Sequence, residues 1–333
     1  MFCPGAPVRR LFNVLVRIAV VIFLLYAVTA AIFPRDELDR TITFDASAIG
    51  PDVEAYLSNQ ELQFPDIRPG VAKRVVWAGA VGAKTPLAVI YIHGFSASSE
   101  EIRPVPDQVA KALGANLFFT RLAGHGRSGD AMATATANDW MQDMAEAMAI
   151  GRRLGDRVLV ISTSTGGTLA AIAAADPQLS QDMAGIVMIS PNFGLKPWSG
   201  MLLDLSAARH WLPWIAGDTR SFTPVNDAQA AYWTTSYPTT ALFPMAALVR
   251  AARAVNYFNV KLPLLVLYSP QDQVVNPVQT QVILSAWGGP AQWQSRSMGP
   301  GDDPYSHVLA GDILSPGQTA QTVDLIVAWA KGL

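Results

Sequence analysis

Cysteine is nearly missing from this chain: of 333 residues only Cys3 is one. It lies in the leader, which excludes a disulfide scaffold and a cysteine-rich metal site. Also lacking is any Lys/Arg cluster dense enough to follow a phosphate backbone. With a formal net charge of −2, nucleic acid is not an expected partner. Histidine is scarce too, at four residues, so the search for an imidazole base is short. What the chain does have is enough material for one large α/β domain or two smaller ones.

The first forty residues differ in composition from the rest. Arg9, Arg10 and Arg17 precede an uncharged apolar stretch from Ile18 to Phe33, and the mixed-charge segment Arg35 to Arg40 follows. Counted from Leu11, the apolar span 11–33 is long enough to cross a bilayer, with Arg17 able to snorkel at one end. Val28-Thr29-Ala30 offers the small residues a signal peptidase prefers, so a cleaved signal peptide competes with an uncleaved signal anchor. The long basic flank favours the anchor, with the N-terminus cytoplasmic and the main domain outside the cytoplasmic membrane; cleavage would give a secreted protein. A buried core helix fits less well, because arginines and a polar segment bound the run.

Residues 41–72 read as a polar connecting segment with a short helix around Val53 to Leu62, and a domain from 73 to 333 follows. Lys73 to Ala80 is expected as an early strand and Leu87 to Ile92 as a central parallel one. The latter ends in His93-Gly94-Phe95, a step that turns the chain away and leaves the Phe95 amide pointing off the sheet edge. Ser98-x-x-Glu101 matches a capping box for a helix over 99–113. After a strand at 116–122, Gly124 to Gly129 satisfies G-x-G-x-x-G. A dinucleotide site is discounted, because the motif does not follow the first strand and because 129–138 is too small and polar to open a helix. Asp139 to Leu154 has helical spacing with Trp140, Met144, Met148 and Ile150 on a core face.

The chain is organised around Val158 to Gly167. An apolar β-branched run stops at small residues, and Thr168 to Ala175 then reads as a helix. A nucleophile elbow has this form, with small residues two positions either side of the nucleophile because backbone packs on backbone there. Centred on Ser164 those neighbours are Ser162 and Gly166; centring on Ser162 fails, since Val160 and Ser164 would flank it. A strand at 184–189 follows. Residues 192–260, rich in Pro and Trp, are too long for a structureless loop and read as a helical lid inserted over the sheet edge. Trp198, Trp211, Trp214 and Trp233 line an acyl pocket or form the lid's own core. Strands at 262–268 and 291–298 and helices at 277–287 and 319–331 complete the domain.

A serine hydroxyl needs a base within hydrogen-bond reach, and the base needs an orienting carboxylate. His93 belongs to the turn, His125 to an earlier glycine-flanked loop and His210 to the lid. His307 alone follows the last strand, where the order Ser, acid, His places the base. The acid is expected just after the strand that follows the lid, at Asp272, with Asp302 and Asp303 as rivals too close in sequence to His307 to orient it. Together, His93-Gly94-Phe95, Gly124-His125-Gly126, Ser162-x-Ser164-x-Gly166-Gly167, Asp272 with Val274-Val275, and Ser306-His307 resemble the α/β-hydrolase superfamily, in its monoacylglycerol-lipase and carboxylesterase-like branch.

The resemblance spans about 73–333. It implies a doubly wound, mostly parallel eight-stranded sheet, a lid, and ester hydrolysis through an acyl-enzyme on Ser164. It further implies an oxyanion hole from the Phe95 and Thr165 amides. No metal or organic cofactor is implied. A lipid-like or small acyl ester is the expected substrate. Hydrolysis of another acyl bond (amide, thioester, lactone) and a non-catalytic membrane-anchored binding protein on the same fold are the rivals.

Overall fold

The computed structural model describes residues 6–333, and Cys3 lies outside them. Helix α1 (Ala6–Ile32) carries Arg9, Arg10 and Arg17 near its start and is apolar from Ile18 on; none of its 9–32 segment is buried, and it is long enough to cross a membrane. Residues 41–72 then pack onto the domain. Helix α2 (Val53–Glu61), capped by Asp52, buries Val53 and Leu57 in the main core beside Ile49. Charged groups reinforce this contact: Arg121 bonds Glu61 at 2.7 Å, and Lys73 pairs with Glu146 and Asp143.

Strand β1 (Arg74–Val76) is shorter than expected. After β2 (Thr85–Ile92) the chain turns before entering α3 (Val105–Leu113). That helix starts six residues later than the capping-box reading placed it, because Pro104 forces the residue before it out of helical conformation. Glu101 therefore caps no helix and turns inward. Strand β3 (Asn116–Phe119) leads to α4 (Gly129–Thr134), capped by Ser128. This short helix, contrary to expectation, does open inside the G-x-G-x-x-G stretch. The stretch still follows β3, whereas β2 is the first strand that feeds a helix, and a dinucleotide fingerprint belongs on that first turn.

Helix α5 (Ala137–Leu154) buries Trp140, Met144, Met148 and Ile150 completely. Strand β4 (Gly155–Thr163), α6 (Thr165–Ala174) and β5 (Met183–Ile189) follow. Between β5 and the next strand of the sheet run α7 (Ala208–Ala216), β6 (Thr219–Ser221), α8 (Asp227–Tyr232), β7 (Ser236–Pro238) and α9 (Leu242–Arg253). The domain closes with β8 (Leu264–Tyr268), α10 (Pro277–Ala286), β9 (Ala291–Ser295) and α11 (Thr319–Ala330).

The sheet has order β1-β3-β2-β4-β5-β8-β9, antiparallel only at β1. It has seven strands, not the eight the resemblance implied; the chain ahead of β1 folds as α2 on the core and adds no edge strand. Strand faces alternate with period two. Ala88, Ile90 and Ile92 pack in the cluster containing α5, α6 and α9, while Val89 and Tyr91 join the one containing α3 and α11. Because β2 leads outward to β3 and β4 leads the other way to β5, the chain reverses direction between β2 and β4. Loops leaving the carboxyl ends of two such strands diverge and leave a crevice. Paired residues Ile92 and Ser162 place the ends of β2 and β4 side by side there.

Candidate active site

Ser164 sits between β4 and α6 with φ 51° and ψ −115°, a positive φ that a serine adopts only under constraint from its surroundings. The packing supplies that constraint. A Cβ on Gly166 would overlap Ile92 O, and one on Gly167 would lie 2.8 Å from Pro191 Cβ. The strand-to-helix turn can therefore close only with glycines after the serine. Ser162, standing where the related pattern has glycine, is fully buried and turns sideways, its hydroxyl donating to Val187 O on β5 at 2.9 Å. The extra side chain is thus accommodated by the neighbouring strand without crowding the elbow.

The opposite wall is the His93-Gly94-Phe95 turn. His93 is buried, bonded through Nδ1 to Gly94 O at 2.9 Å and accepting Leu122 N–H at Nε2 at 3.1 Å. Burial, with His125 and Arg121 nearby, pushes its pKa down to about 3. It is thus a neutral brace between two loops. His125 is likewise held neutral by burial, its pKa lowered to about 4, and its ring packs against Phe95 with centroids 5.7 Å apart. His210 packs against Phe33, 4.6 Å between centroids. The amides of Phe95 and Thr165 donate to no protein acceptor among the described residues, consistent with free donors at a turn and at the first position of a helix.

The loop after β8 supplies Asp272, 2% exposed. Its Oδ1 accepts the Val274 and Val275 amides at 2.8 and 2.9 Å, leaving Oδ2 for His307 Nδ1 at 2.8 Å. His307 lies in the loop after β9. The rival acids are occupied elsewhere. Asp303 accepts the amides of Tyr305, His307 and Val308 and so shapes the loop, and Asp302 accepts from Gly299, Gly317 and Gln318. Burial alone would favour neutral His307. The Asp272 carboxylate, helped by Glu101 and Asp303, outweighs it and raises the imidazole pKa above its ordinary value. This is the electrostatic arrangement of a base made stronger by a fixed carboxylate.

Ser164 and His307 line one cavity of about 570 Å³, together with Phe95 and Glu101. No hydrogen bond joins the Ser164 hydroxyl to His307 in this structure. Such contacts are often long before substrate arrives. The roof is the chain between β5 and β8, which contributes Leu202, Leu203, Leu212, Leu242 and Met245. Of the four tryptophans in that stretch only Trp233 lines the cavity. Trp198 and Trp214 are 75% and 90% exposed, so they form neither a pocket wall nor a core. Among the described residues no group of three or more His, Cys, Asp or Glu side chains is placed to hold a metal ion.

The family profile for serine aminopeptidase, S33, matches residues 83–291. The chain belongs to this family. It is an α/β hydrolase of the monoacylglycerol-lipase and esterase-like branch, and the S33 match covers the turn, the elbow and Asp272. A thermostable monoacylglycerol lipase from Bacillus sp. (strain H-257) is 27% identical over 198 residues, 60% of this chain and 75% of that one. Among solved structures, a metagenome-derived lipolytic enzyme of the LipS and LipT pair superposes with a TM-score of 0.66. It is 21% identical and covers 80% of this S33 chain and all of its own. The monoacylglycerol lipase of Paleococcus ferrophilus gives 0.56 at 14% identity, over 79% of this chain and 98% of its own. At such identities the two structures show a shared fold.

Glu101 is the residue that sequence reasoning misplaced. Its position three after Ser98 suggested a helix cap, whereas Pro104 was the signal that no helix begins there.

Proposed function

We propose that this protein is a serine hydrolase of carboxylic esters, acting through Ser164, His307 and Asp272. The observation that carries the reading is the 2.8 Å bond from buried Asp272 to His307, whose ring lines the same cavity as Ser164. With Nδ1–H donated to Asp272, Nε2 is the free acceptor that a serine proton needs. Ser164 Oγ attacks the ester carbonyl carbon as its proton passes to Nε2. The carbonyl oxygen becomes an anion facing the Phe95 and Thr165 amides. Collapse breaks the bond to the alcohol oxygen, which leaves with the His307 proton. Water, giving a proton to His307, then attacks the acyl-enzyme, and the carboxylic acid departs as Ser164 recovers its hydrogen.

The leucine and methionine roof favours an acyl chain, since each buried methylene contributes about 0.8 kcal/mol to binding. An ester is favoured over an aminopeptide. Of the cavity's carboxylates outside the Asp272–His307 pair, Asp303 is taken up by three backbone N–H groups and Glu101, 3% exposed, keeps one oxygen on the Gly94 amide, so neither is an open surface carboxylate of the kind that seats a substrate ammonium. Residues 192–260 act as the lid. The reading extends to α1 as a retained anchor with the domain outside the cytoplasmic membrane. Support comes from an unbroken helix across 28–30 and from contacts between its end and the lid: Ser206 N–H to Tyr26 Oη at 3.3 Å, Ala207 N–H to Phe33 O at 3.0 Å, and the Arg209–Asp36 ion pair. The exposed Trp198, Met201, Trp214 and Ile215 flank that junction, where lid and lipid surface would meet.

A series of p-nitrophenyl esters of increasing chain length, hydrolysed by the full chain in detergent, tests the reading. It is expected to give activity that depends on Ser164 and rises from acetyl to medium acyl chains. Absence of esterase activity beside turnover of aminoacyl p-nitroanilides would overturn it.

A further inference from the structure

The mechanism above leaves Glu101 unused. Glu101, 3% exposed, stands in the turn between β2 and α3 with its carboxylate against the reaction centre. A Cβ added to Gly94 would lie 2.7 Å from Glu101 Oε1 and 3.1 Å from Ser164 Cβ, so the acid and the nucleophile face the same glycine. Oε2 accepts the Gly94 amide at 2.8 Å and the Tyr91 hydroxyl at 2.9 Å. The Tyr91 oxygen is in turn 3.1 Å from Thr163 Oγ1, on the residue preceding Ser164. One carboxylate oxygen thereby ties the turn bearing the Phe95 amide to the strand end bearing the nucleophile, while Oε1 is left without a hydrogen bond among the described residues.

The charged surroundings are few. Tyr91 faces Glu101 from β2, and His307 faces it from the loop after β9, with Asp272 and Asp303 beside that imidazole. The adjoining Glu100 turns the other way, to Arg74 and Arg103 at 2.8 and 3.0 Å. Burial pushes the Glu101 acid up to about 6, while the Gly94 amide, Tyr91 and His307 pull in the opposite direction. At neutral pH it is therefore an anion within the field of His307.

We propose that Glu101 is a positioning residue for the hydrolysis: its carboxylate sets the oxyanion turn against the elbow, and its charge favours the imidazolium that forms as Ser164 attacks. A carboxylate that only held a loop would leave the titration of His307 unmoved when replaced by a neutral acceptor. This one stands where the charge acts on the base. The proposal rests on the Ser164–His307–Asp272 reading and deepens it.

Three variants of the full chain test it: Glu101→Gln, Glu101→Asp and Tyr91→Phe. Each is assayed for fluorophosphonate labelling, melting temperature and the pH profile of p-nitrophenyl butyrate hydrolysis. Labelling that does not depend on Ser164 would remove the underlying triad reading instead. With Ser164-dependent labelling intact, Glu101→Gln is expected to melt near the parent and to lose roughly tenfold or more in kcat at little-changed KM, below the hundredfold-or-greater loss typical of an oxyanion donor itself. Its acid limb should move to lower pH, because His307 loses one of the carboxylates that favour its charged form. Glu101→Asp should keep the limb and lose kcat, since the shorter acid retains charge but not reach. Tyr91→Phe should move the limb in the same direction by less, with a severalfold loss of kcat, and serves if Glu101→Gln does not fold. A parental kcat and acid limb in Glu101→Gln, or in Tyr91→Phe where the former is unfolded, would overturn the proposal. So would a fall in kcat and melting temperature with the limb unmoved, which marks a merely structural clamp.

Discussion

The floor and the roof of the cavity are built by opposite means. On the floor, side chains at the carboxyl ends of β2, β4 and β8 are buried and tied by hydrogen bonds: Asp272 to two amides and His307, Glu101 to Gly94 and Tyr91, Ser162 to Val187. The roof, residues 192–260, meets the cavity with leucines and Met245 beside Arg220, Gln229 and Tyr237, and turns Trp198, Trp214 and Ile215 outward at 75%, 90% and 76% exposure. Hydrogen bonds are directional and apolar contacts are not. On the proposed reading, the floor would fix which atoms react and the roof would set how much acyl chain is held.

Substitutions on the two surfaces should therefore fail differently. The largest effect is expected from Ser164→Ala, on the order of a millionfold loss in kcat for every ester tried, by analogy with other serine triads. Stopped turnover measurements on purified full chain check it. Asp272→Asn should cost about ten-thousandfold, because the amide presents the wrong hydrogen-bond partner to Nδ1. In the parent protein, kcat/KM should fall with acid at a pH above the ordinary imidazole value. The base works only when neutral, and Asp272 holds the proton on His307 as pH drops through the raised pKa. A limb at or below the ordinary value would break the electrostatic account of the floor. Filling the roof by Leu212→Trp should leave acetyl esters nearly untouched and reduce long-chain turnover roughly tenfold, about the selectivity available from one to two methylenes' worth of pocket. An equal loss across the series would mean that the roof also positions the reacting atoms. The smallest effect belongs to Trp214→Ser. With that side chain almost wholly exposed, the change should stay within about 0.5 kcal/mol in denaturant titration.

The same division explains what was legible in the sequence. The strand-to-helix turn at Ser164 was legible because a buried strand ending at small residues has few other uses, and chain order pointed to Asp272 and His307, which the structure places 2.8 Å apart. Trp140, Met144, Met148 and Ile150 read correctly as core because helical spacing alone decides which face is buried. Glu101 did not, since local spacing suggested a cap, while its contacts run to Tyr91, 10 residues back, and through it to Thr163, 72 residues beyond Tyr91. The short helix at 129–134 was hidden by its six-residue length and its opening Gly-Asp, and depends on the Ser128 cap and on close packing of Gly129 against Ser236 and Tyr237. In the roof, tryptophans promised a core. Two of them, Trp198 and Trp214, instead face solvent, a placement set by tertiary neighbours that no local pattern encodes.

The central claim is that one serine carries the acyl group. Fluorophosphonate treatment of the active full chain, followed by peptide mass spectrometry, tests it most directly. The account predicts a single phosphonylated residue, Ser164, with loss of esterase activity in step with its modification. An adduct on another residue, or complete inactivation with Ser164 unmodified, would contradict it.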